Sequence, residues 1–144
     1  MTSTVNHGPA AIAERLSAAS NRAWVDVRQL DPATCFAYAR LHRYPEYEGE
    51  IAPPGLGAAV TMSAVLAVLH DDELDIPFDR NVHAAQNLEW LEPLRLRSTL
   101  TTEARVDRVR VRERAVFFDV VTSTANEDGQ ECLRGRATQA VRHV

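Results

Sequence analysis

The residues of this chain that are best suited to acid–base chemistry lie between His42 and Gly57, in the segment HRYPEYEGEIAPPGLG. His42 could act as a general base because the ordinary pKa of histidine is close to neutrality. Tyr44 and Tyr47 could donate a proton or orient a hydroxyl group. The segment also carries three carboxylates, at Glu46, Glu48 and Glu50. Burial would raise the pKa of such a carboxylate towards neutrality, where it could exchange protons. The alternative is that the segment is a solvent-exposed loop whose polar residues have no chemical role.

The end of the same segment predicts the start of a buried helix. Pro53-Pro54-Gly55 precedes a run of small and apolar residues from Leu56 to about His70 that has no polar face. The first N–H groups of a helix have no partner inside the helix, and they can stabilise negative charge that develops on a nearby oxygen. Gly55 is therefore the expected donor position. A tight helix start without a chemical role is the alternative.

A helix, a strand and a second helix are predicted before this region. Residues 9–19 form a short amphipathic pattern, and RAWVDVRQL alternates well enough for a strand. Asp31 followed by Pro32 predicts a helix that begins there, with the aspartate as its cap, and ends near His42. The helix that ends near His42 and the buried helix that begins after Gly55 therefore flank the segment that carries the candidate acid–base residues.

From Asn81 onward, the period of the sequence changes to that of β-strands. Four segments rich in β-branched residues follow one another: VHAAQNLEWLEPL, STLTTEARVDRVRVRER, AVFFDVVTSTANEDG and QECLRGRATQAVRHV. Asp128-Gly129 predicts a hairpin turn between the last two, and a turn within residues 112–115 joins the two before them. This order predicts an α+β fold in which a curled antiparallel sheet of about five strands surrounds one buried helix. A two-layer sandwich of another topology is the alternative.

Length and composition limit the class of protein. The 144 residues suit one domain, expected over residues 9–144 behind a flexible tail of residues 1–8. A net charge of -4 gives no general affinity for nucleic acid or acidic membranes. All basic residues are arginine, which excludes Schiff-base chemistry through a lysine. The two cysteines make neither a disulfide framework nor a zinc site, and no secretory or membrane segment is evident, so a cytoplasmic protein is expected.

The strand region resembles that of a known enzyme family. VHAAQNLEWLEPLRLRSTLTTEARVDRV resembles the strand–turn–strand of MaoC-like dehydratases, and of the related dehydratase domain of yeast-type fatty acid synthases, in the pattern V-H-x-x-Q-x-[LF]-x-[YW]-x-x-P-[LV]. VVTSTANEDGQECLRGRATQAV is similar to the closing hairpin of the family, so the resemblance runs from about Trp24 to Val141. It implies a hot-dog fold and action on acyl thioesters, as in (R)-3-hydroxyacyl dehydratases and (R)-specific enoyl hydratases.

The resemblance also implies which residues act on the substrate. In the family, an aspartate and a histidine in the motif D-x-N-P-x-H hold the water that is added or removed, and a backbone N–H at the start of the buried helix polarises the thioester carbonyl. Aligned through its proline, the motif falls on residues 42–47, with His42 at the aspartate place and Tyr47 at the histidine place, so the usual dyad is absent. The expected catalytic residues are His42, Tyr47, Glu48 and Gly55.

Four further residues are expected to bind the substrate: Tyr44, Pro54, His83 and Gln86. His83 and Gln86 both belong to the resembling strand pattern. In a regular strand, residues three apart face opposite sides, so these two share a site only if the strand bulges. A structural histidine that satisfies buried backbone groups is the alternative for His83.

Three other motifs have simpler interpretations. RVDRVRVRER would place four guanidinium groups on one face of a strand: Arg108, Arg110, Arg112 and Arg114. They could bind the phosphates of coenzyme A or an acidic carrier protein, or form a charged outer face that keeps the strand soluble. HDDELD, residues 70–75, has no second histidine or cysteine at ligand spacing and predicts no metal site. Cys35 is expected to pack in the core.

The sequence therefore predicts a hydro-lyase that acts on acyl-CoA or acyl-carrier-protein thioesters in fatty-acid or polyketide metabolism, with no cofactor. A lone hot-dog unit exposes a sheet edge, so a homodimer, or a heterodimer with a second hot-dog protein, is expected. Nucleic acid and membranes are not expected partners. The alternatives are a non-catalytic subunit that pairs with a catalytic dehydratase, an acyl thioesterase, and a repurposed fold that closes a ring on a polyketide.

Overall fold

The computed structural model of this chain describes residues 6–44 and 49–143. Its helices are α1 (Pro9–Ala18), α2 (Pro32–Leu41) and α3 (Leu56–Leu69), and a one-turn 3-10 helix covers Phe78–Arg80. Its strands are β1 (Trp24–Gln29), β2 (Asn81–Trp90), β3 (Thr99–Arg112), β4 (Ala115–Ala125) and β5 (Glu131–Arg142). The predicted order of helices and strands is confirmed.

The five strands form one antiparallel sheet in the order β1-β3-β4-β5-β2, so β1 and β2 are its edges. Helix α3 packs against β1, β3, β4 and β5. One face of this helix packs into the curl of the sheet, because its buried residues recur at three- and four-residue spacing: Val60, Ala64, Val65 and Val68. Burial of one such valine stabilises the fold by about 1.5–3 kcal/mol. Ala59 and Ala67 are exposed, so the expectation of a helix buried on most sides is met on that face only. The predicted hot-dog arrangement is confirmed.

Local sequence signals set the ends of the elements. The Asp31 carboxylate accepts hydrogen bonds from the N–H groups of Ala33 and Thr34 at the start of α2. The hydrogen bond from the Thr34 hydroxyl is the main cause of a pKa of Asp31 below its ordinary value. In the turn between β4 and β5, Gly129 has a φ of 77°, a left-handed conformation that glycine adopts without strain. Both the cap and this turn were predicted.

A polar network links three strands on the outer face of the sheet, which is the face opposite α3. Arg136 Nη1 donates to Asp119 at 2.7 Å and to Asp107 at 3.0 Å, and the Thr138 hydroxyl donates to Asp119 at 2.9 Å. Asp119 is only 3% exposed. The hydrogen bond from Arg136 holds the pKa of Asp107 below its ordinary value. The network therefore links β3, β4 and β5 through charged hydrogen bonds.

The predicted row of arginines on β3 is interrupted. The register of β3 and β4 shifts between Asp107 and Arg110, where Arg108 has a φ of 51°. This irregularity has the form of a β-bulge, which inserts an extra residue and breaks the strict alternation that the prediction assumed. Beyond it, the Arg110 guanidinium lies 5.6 Å from the centre of the Phe117 ring.

The predicted flexible tail falls largely outside the described residues. Of its described part, His7 Nε2 lies 2.8 Å from an Asp75 carboxylate oxygen, and Arg15 donates to the Asn6 carbonyl. Within residues 6–44 and 49–143, no helix is long and apolar enough to cross a membrane.

Candidate active site

The start of α3 presents one backbone donor. The N–H groups of Leu56 and Gly57 donate to the carbonyls of Pro53 and Pro54, and the N–H of Ala58 donates to the Gly55 carbonyl. Gly55, half-buried, has a helical φ of -61° and donates to no atom of the part of the chain that the structure describes. Because two prolines precede it and carry no N–H, Gly55 supplies the first available donor of the helix.

A tyrosine on α2 covers this glycine. A methyl group added at Gly55 would overlap the Tyr38 hydroxyl oxygen and come within 3.1 Å of the ring carbon that bears it. The position therefore requires glycine for close approach. The Tyr38 hydroxyl makes no hydrogen bond to any atom within residues 6–44 and 49–143. It is thus a second donor next to the Gly55 N–H.

Two predicted residues join this tyrosine in an aromatic cluster. The His42 ring centre lies 4.3 Å from that of Tyr38, and the Tyr44 ring centre lies 6.5 Å from it. Tyr38 and His42 are four residues apart at the end of α2, so they share a helix face. His42 and Tyr44 are both exposed, so each is open to solvent or to a ligand. The structure therefore brings His42, Tyr44 and Gly55 together around Tyr38.

An apolar cleft of about 480 Å³ adjoins the helix start. Its lining combines the segment before α3 with the end of β2: Ile51, Pro53, Pro54, Trp90, Leu91 and Leu94. The Trp90 ring also packs close to Gly57, where an added methyl group would lie 3.0 Å from the indole nitrogen. Predicted Pro54 thus lines a cleft whose size and largely apolar walls suit a small apolar ligand.

A bulge in β2 changes the expectation for His83 and Gln86. The pairing of β2 with β5 shifts between His83 and Ala85. His83 pairs with Gln139 and Gln86 pairs with Ala137, and these two partners face the same side of β5. The prediction was that His83 and Gln86 share a side only if the strand bulges, and the bulge meets this condition. Both side chains face α3, where Gln86 donates to the Thr61 hydroxyl at 3.3 Å.

His83 belongs to a short polar chain beside α3. Its Nδ1 lies 3.0 Å from Gln139 Nε2, and the Asn81 amide donates to Gln139 Oε1 at 2.9 Å. Gln139 is fully buried, whereas His83 is exposed. The buried amide therefore fixes the orientation of an imidazole that remains open to its surroundings.

The structure does not place these two residues at the helix start. Thr61, the contact of Gln86, is six residues beyond Gly55, which corresponds to about 9 Å along the axis of α3. His83 is farther still from the end of β2 that meets the cleft, since Trp90 closes the strand. Within one chain, the predicted substrate-binding residues thus form two groups, one at the helix start and one midway along α3.

Three predicted acid–base residues lie outside the described residues: Glu46, Tyr47 and Glu48. Glu50 is described and exposed. Sequence reasoning missed Tyr38 and the apolar walls at Trp90 and Leu91. The one signal in the sequence that could have identified Tyr38 was its spacing of four residues from His42, which places the two on one helix face.

Other motifs contribute to stability in the structure. Asp71 of the HDDELD segment accepts hydrogen bonds from Trp24 Nε1 at 2.8 Å and from Arg22 at 2.9 Å. Burial alone would raise the pKa of Asp71, but these bonds and one from the Glu73 N–H hold it below its ordinary value. Cys35 and Cys132 are both buried, and burial raises the pKa of the Cys132 thiol. No cluster of three metal-binding side chains occurs in the described ranges.

Sequence comparison relates the chain to two groups. Residues 12–133 match the family model of the FAS1-like, dehydratase domain region. The UPF0336 protein of Saccharopolyspora erythraea is 28% identical over 108 residues, which cover 71% of this chain and 69% of that protein. The UPF0336 protein of Streptomyces avermitilis is 24% identical over 103 residues, which cover 72% and 69%.

Comparison with solved structures shows the same fold. The HadBC complex of Mycobacterium tuberculosis, a 3R-hydroxyacyl-ACP dehydratase, matches with a TM-score of 0.67 and 16% identity over 82% of this chain and 93% of that chain. The MaoC-like dehydratase of Rhodospirillum rubrum matches with a TM-score of 0.61 and 20% identity over 85% and 91%. The R-hydratase PhaJ1 of Pseudomonas aeruginosa has a TM-score of 0.61 and 15% identity over 85% and 81%.

Proposed function

Because the chain belongs to the family of FAS1-like dehydratase domain regions, within which acyl thioesters are processed on the hot-dog fold, we propose that it dehydrates 3-hydroxyacyl thioesters or hydrates the corresponding enoyl thioesters. The substrate is carried by coenzyme A or by an acyl carrier protein, in fatty-acid or polyketide metabolism. In dehydration, a base takes the proton from C2, the C3–O bond breaks, and the leaving hydroxyl group takes up a proton, so that the proton lost from C2 and the hydroxyl group together leave as water.

One observation carries this proposal: Gly55, whose N–H has no partner among the described residues, contacts Tyr38 and directly follows Pro54, which lines the apolar cleft. Loss of the C2 proton places negative charge on the thioester oxygen. A preorganised donor at this point stabilises that charge, and removal of one such donor typically costs about 3 kcal/mol of barrier. The cleft walls at Pro54 and Trp90 would hold the apolar part of the substrate.

His42 is the proposed base, since it is the described imidazole in the aromatic cluster next to Gly55. Tyr44 would help to position the substrate at the rim of the same cluster. Tyr47 and Glu48 remain proposed catalytic residues on the segment between α2 and α3. None of these roles requires a metal ion or a cofactor.

A second chain would complete the site. Strand β2 is a free edge and is exposed on both faces over most of its length. If two β2 strands pair antiparallel about their middle, the His83 end of one lies beside the Trp90 end of the other. His83 and Gln86 would then approach the helix start of the other chain, which they do not reach within one chain. We therefore propose a homodimer, or a heterodimer with a second hot-dog protein.

A non-catalytic role is the second candidate, and one observation favours it. The aspartate and histidine of the family motif are replaced by His42 and Tyr47. A partner hot-dog protein would then supply the dyad, while this chain would shape the acyl tunnel with its cleft.

Hydration of enoyl thioesters by the purified chain, alone and with a hot-dog partner, separates the two candidates. Activity of the chain alone that falls at least a hundredfold in His42→Ala supports the catalytic role. The matched control is His70→Ala. Like His42, His70 follows a helix end and contacts an aromatic ring, since its ring centre lies 4.6 Å from that of Phe78. Unlike His42, it lies at the end of α3 that is far from Gly55. Activity seen only with the partner supports the second role, and no activity in either case contradicts both.

A further inference from the structure

One corner of the sheet concentrates positive charge. It is called the arginine corner here and consists of Arg112, Arg114, Arg142 and His143 around a cleft of about 400 Å³, a size within the range of small-molecule sites. Within residues 6–44 and 49–143, none of its three arginines forms an ion pair, and Glu113 is its one carboxylate.

The rest of the outer face shows the opposite behaviour. Arg105, Arg134 and Arg136 each bind a carboxylate at 3.0 Å or less. A charged outer face that only keeps the sheet soluble would be expected to pair its arginines in this way throughout. Single arginines without an ion pair also occur elsewhere among the described residues, as at Arg40, Arg80 and Arg97. The corner differs from them because three such guanidinium groups line one cleft, in a chain whose net charge is -4.

The strand register arranges two of these arginines around a gap. Arg112 pairs with Ala115, and Ala115 pairs with Arg142, so the three residues form a row across β3, β4 and β5. Adjacent strands lie about 4.8 Å apart, which separates the two arginine backbones by about 10 Å. The small alanine between them leaves room for a group that both guanidinium ends can reach.

An aromatic ring completes the corner. Phe117 lies two residues beyond Ala115 on the same face of β4, because Val116 between them points into the core. The Phe117 ring lines the cleft and has Arg110 over it. Guanidinium groups match phosphate oxygens in bidentate geometry, and an aromatic ring offers a stacking surface to a base.

We propose that the arginine corner binds a nucleotide with two or more phosphate groups, the chemistry found at the adenosine bisphosphate end of coenzyme A. The assignment deepens the proposed function, on which it rests for its link to thioester turnover. It also selects coenzyme A as the carrier of the substrate.

The position of the corner fits this role in a dimer. Arg142 follows Val141, which pairs with Asn81 at the start of β2, so the corner lies at that end of the edge strand. Antiparallel pairing of two β2 strands puts this end beside the Trp90 end of the other chain. The corner is on the outer face and the cleft is on the α3 side, so the pantetheine chain of one coenzyme A molecule would pass around this end of the sheet, between the nucleotide on one chain and the thioester in the cleft of the other.

Calorimetric titration of the full chain with 3′,5′-adenosine bisphosphate tests the site directly. We expect binding that weakens with added salt and falls about tenfold in Arg112→Glu/Arg142→Glu, since each exposed charged contact contributes about 1 kcal/mol or less and reversal also adds repulsion. Arg40→Glu/Arg97→Glu makes the same change of net charge elsewhere and should bind as the unchanged chain does. Glu113→Gln removes the one carboxylate and should bind about twofold tighter.

Three outcomes would overturn the assignment: no binding of the nucleotide, equal losses in the two double variants, and inorganic phosphate binding as tightly as the nucleotide. The catalytic link has its own readout. Arg112→Glu/Arg142→Glu should raise KM for a coenzyme A thioester while leaving KM for the pantetheine thioester, which lacks the phosphates, unchanged. Nucleotide binding without any thioester turnover would retain the site and contradict the proposed function instead.

Discussion

The hydroxyl group of Tyr38 occupies the place that a β-carbon on Gly55 would take, so a side chain fits at position 55 only if the tyrosine moves. This contact joins the two elements that flank the candidate catalytic segment. It leaves the Gly55 N–H and the Tyr38 hydroxyl side by side, neither with a hydrogen-bond partner among the described residues. The contact depends on the packing of α2 against the start of α3, where Tyr38 joins a cluster with Leu56 and Val60.

Gly55→Ala should therefore lower both stability and activity. The added methyl group displaces the tyrosine ring, and overpacking of this kind costs about 1–3 kcal/mol in the free energy of unfolding. Alanine keeps the backbone N–H at position 55, but the displaced ring takes the Tyr38 hydroxyl donor away from it, and loss of one such donor should lower kcat about a hundredfold or more. Chemical denaturation and steady-state kinetics measure the two effects.

Tyr38→Phe provides the matched comparison for this prediction. Removal of the hydroxyl group relieves the worst of the overlap, so Gly55→Ala should cost less stability in the Tyr38→Phe background than alone. Additive losses in the double-mutant cycle would show that the two residues do not interact.

The helices and strands could be predicted because their signals are local. Asp31 and Pro32 predict a helix start, and the alternation of β-branched residues predicts β3 to β5. The bulge at Ala84 could not be predicted, because an extra residue in a strand leaves no mark on an alternating pattern that is already weak in VHAAQ. The role of Tyr38 depends on how α2 crosses α3, which no local pattern specifies. The sequence shows a glycine at position 55, but it does not show that Tyr38 is the side chain that packs against this glycine.

Gln139→Leu should destabilise the fold through two broken hydrogen bonds. The buried amide serves both Asn81 and His83, and an unsatisfied buried polar group costs about 1–3 kcal/mol. We expect a loss of that size in the free energy of unfolding, measured by denaturant titration. His83→Leu breaks one of the two bonds but leaves Nε2 of the buried Gln139 without a partner, so it should also cost about 1–3 kcal/mol. An unchanged free energy of unfolding in both variants would contradict the view that Gln139 is the centre of this polar chain.

The outer network predicts how stability responds to acid. Arg136 lowers the folded-state pKa of Asp107 below the unfolded value of about 3.9, so the pair stabilises the protein above that pH and loses its effect as the pH falls through the folded-state pKa. Arg136→Gln should be less stable than the unchanged chain at pH 7 by about 1–3 kcal/mol, since Asp119 is buried and Asp107 is half exposed. The difference should narrow below about pH 4. Urea denaturation between pH 7 and pH 2 measures it, with Arg112→Gln as a control that should show no pH-dependent difference.

The free edge of β2 predicts which substitution prevents association. Val82 is 43% exposed on this edge strand, and a charge at an edge opposes strand pairing with a second chain. Val82→Lys should therefore yield a monomer in size-exclusion chromatography with light scattering, at concentrations where the unchanged chain forms the proposed dimer. Val27 is 63% exposed on β1, the opposite edge, and Val27→Lys should leave the dimer intact. A monomer in Val27→Lys and a dimer in Val82→Lys would place the interface on the β1 edge. His83 and Gln86 would then remain far from the helix start in the assembly as well, and the proposal that a second chain completes the site would fail.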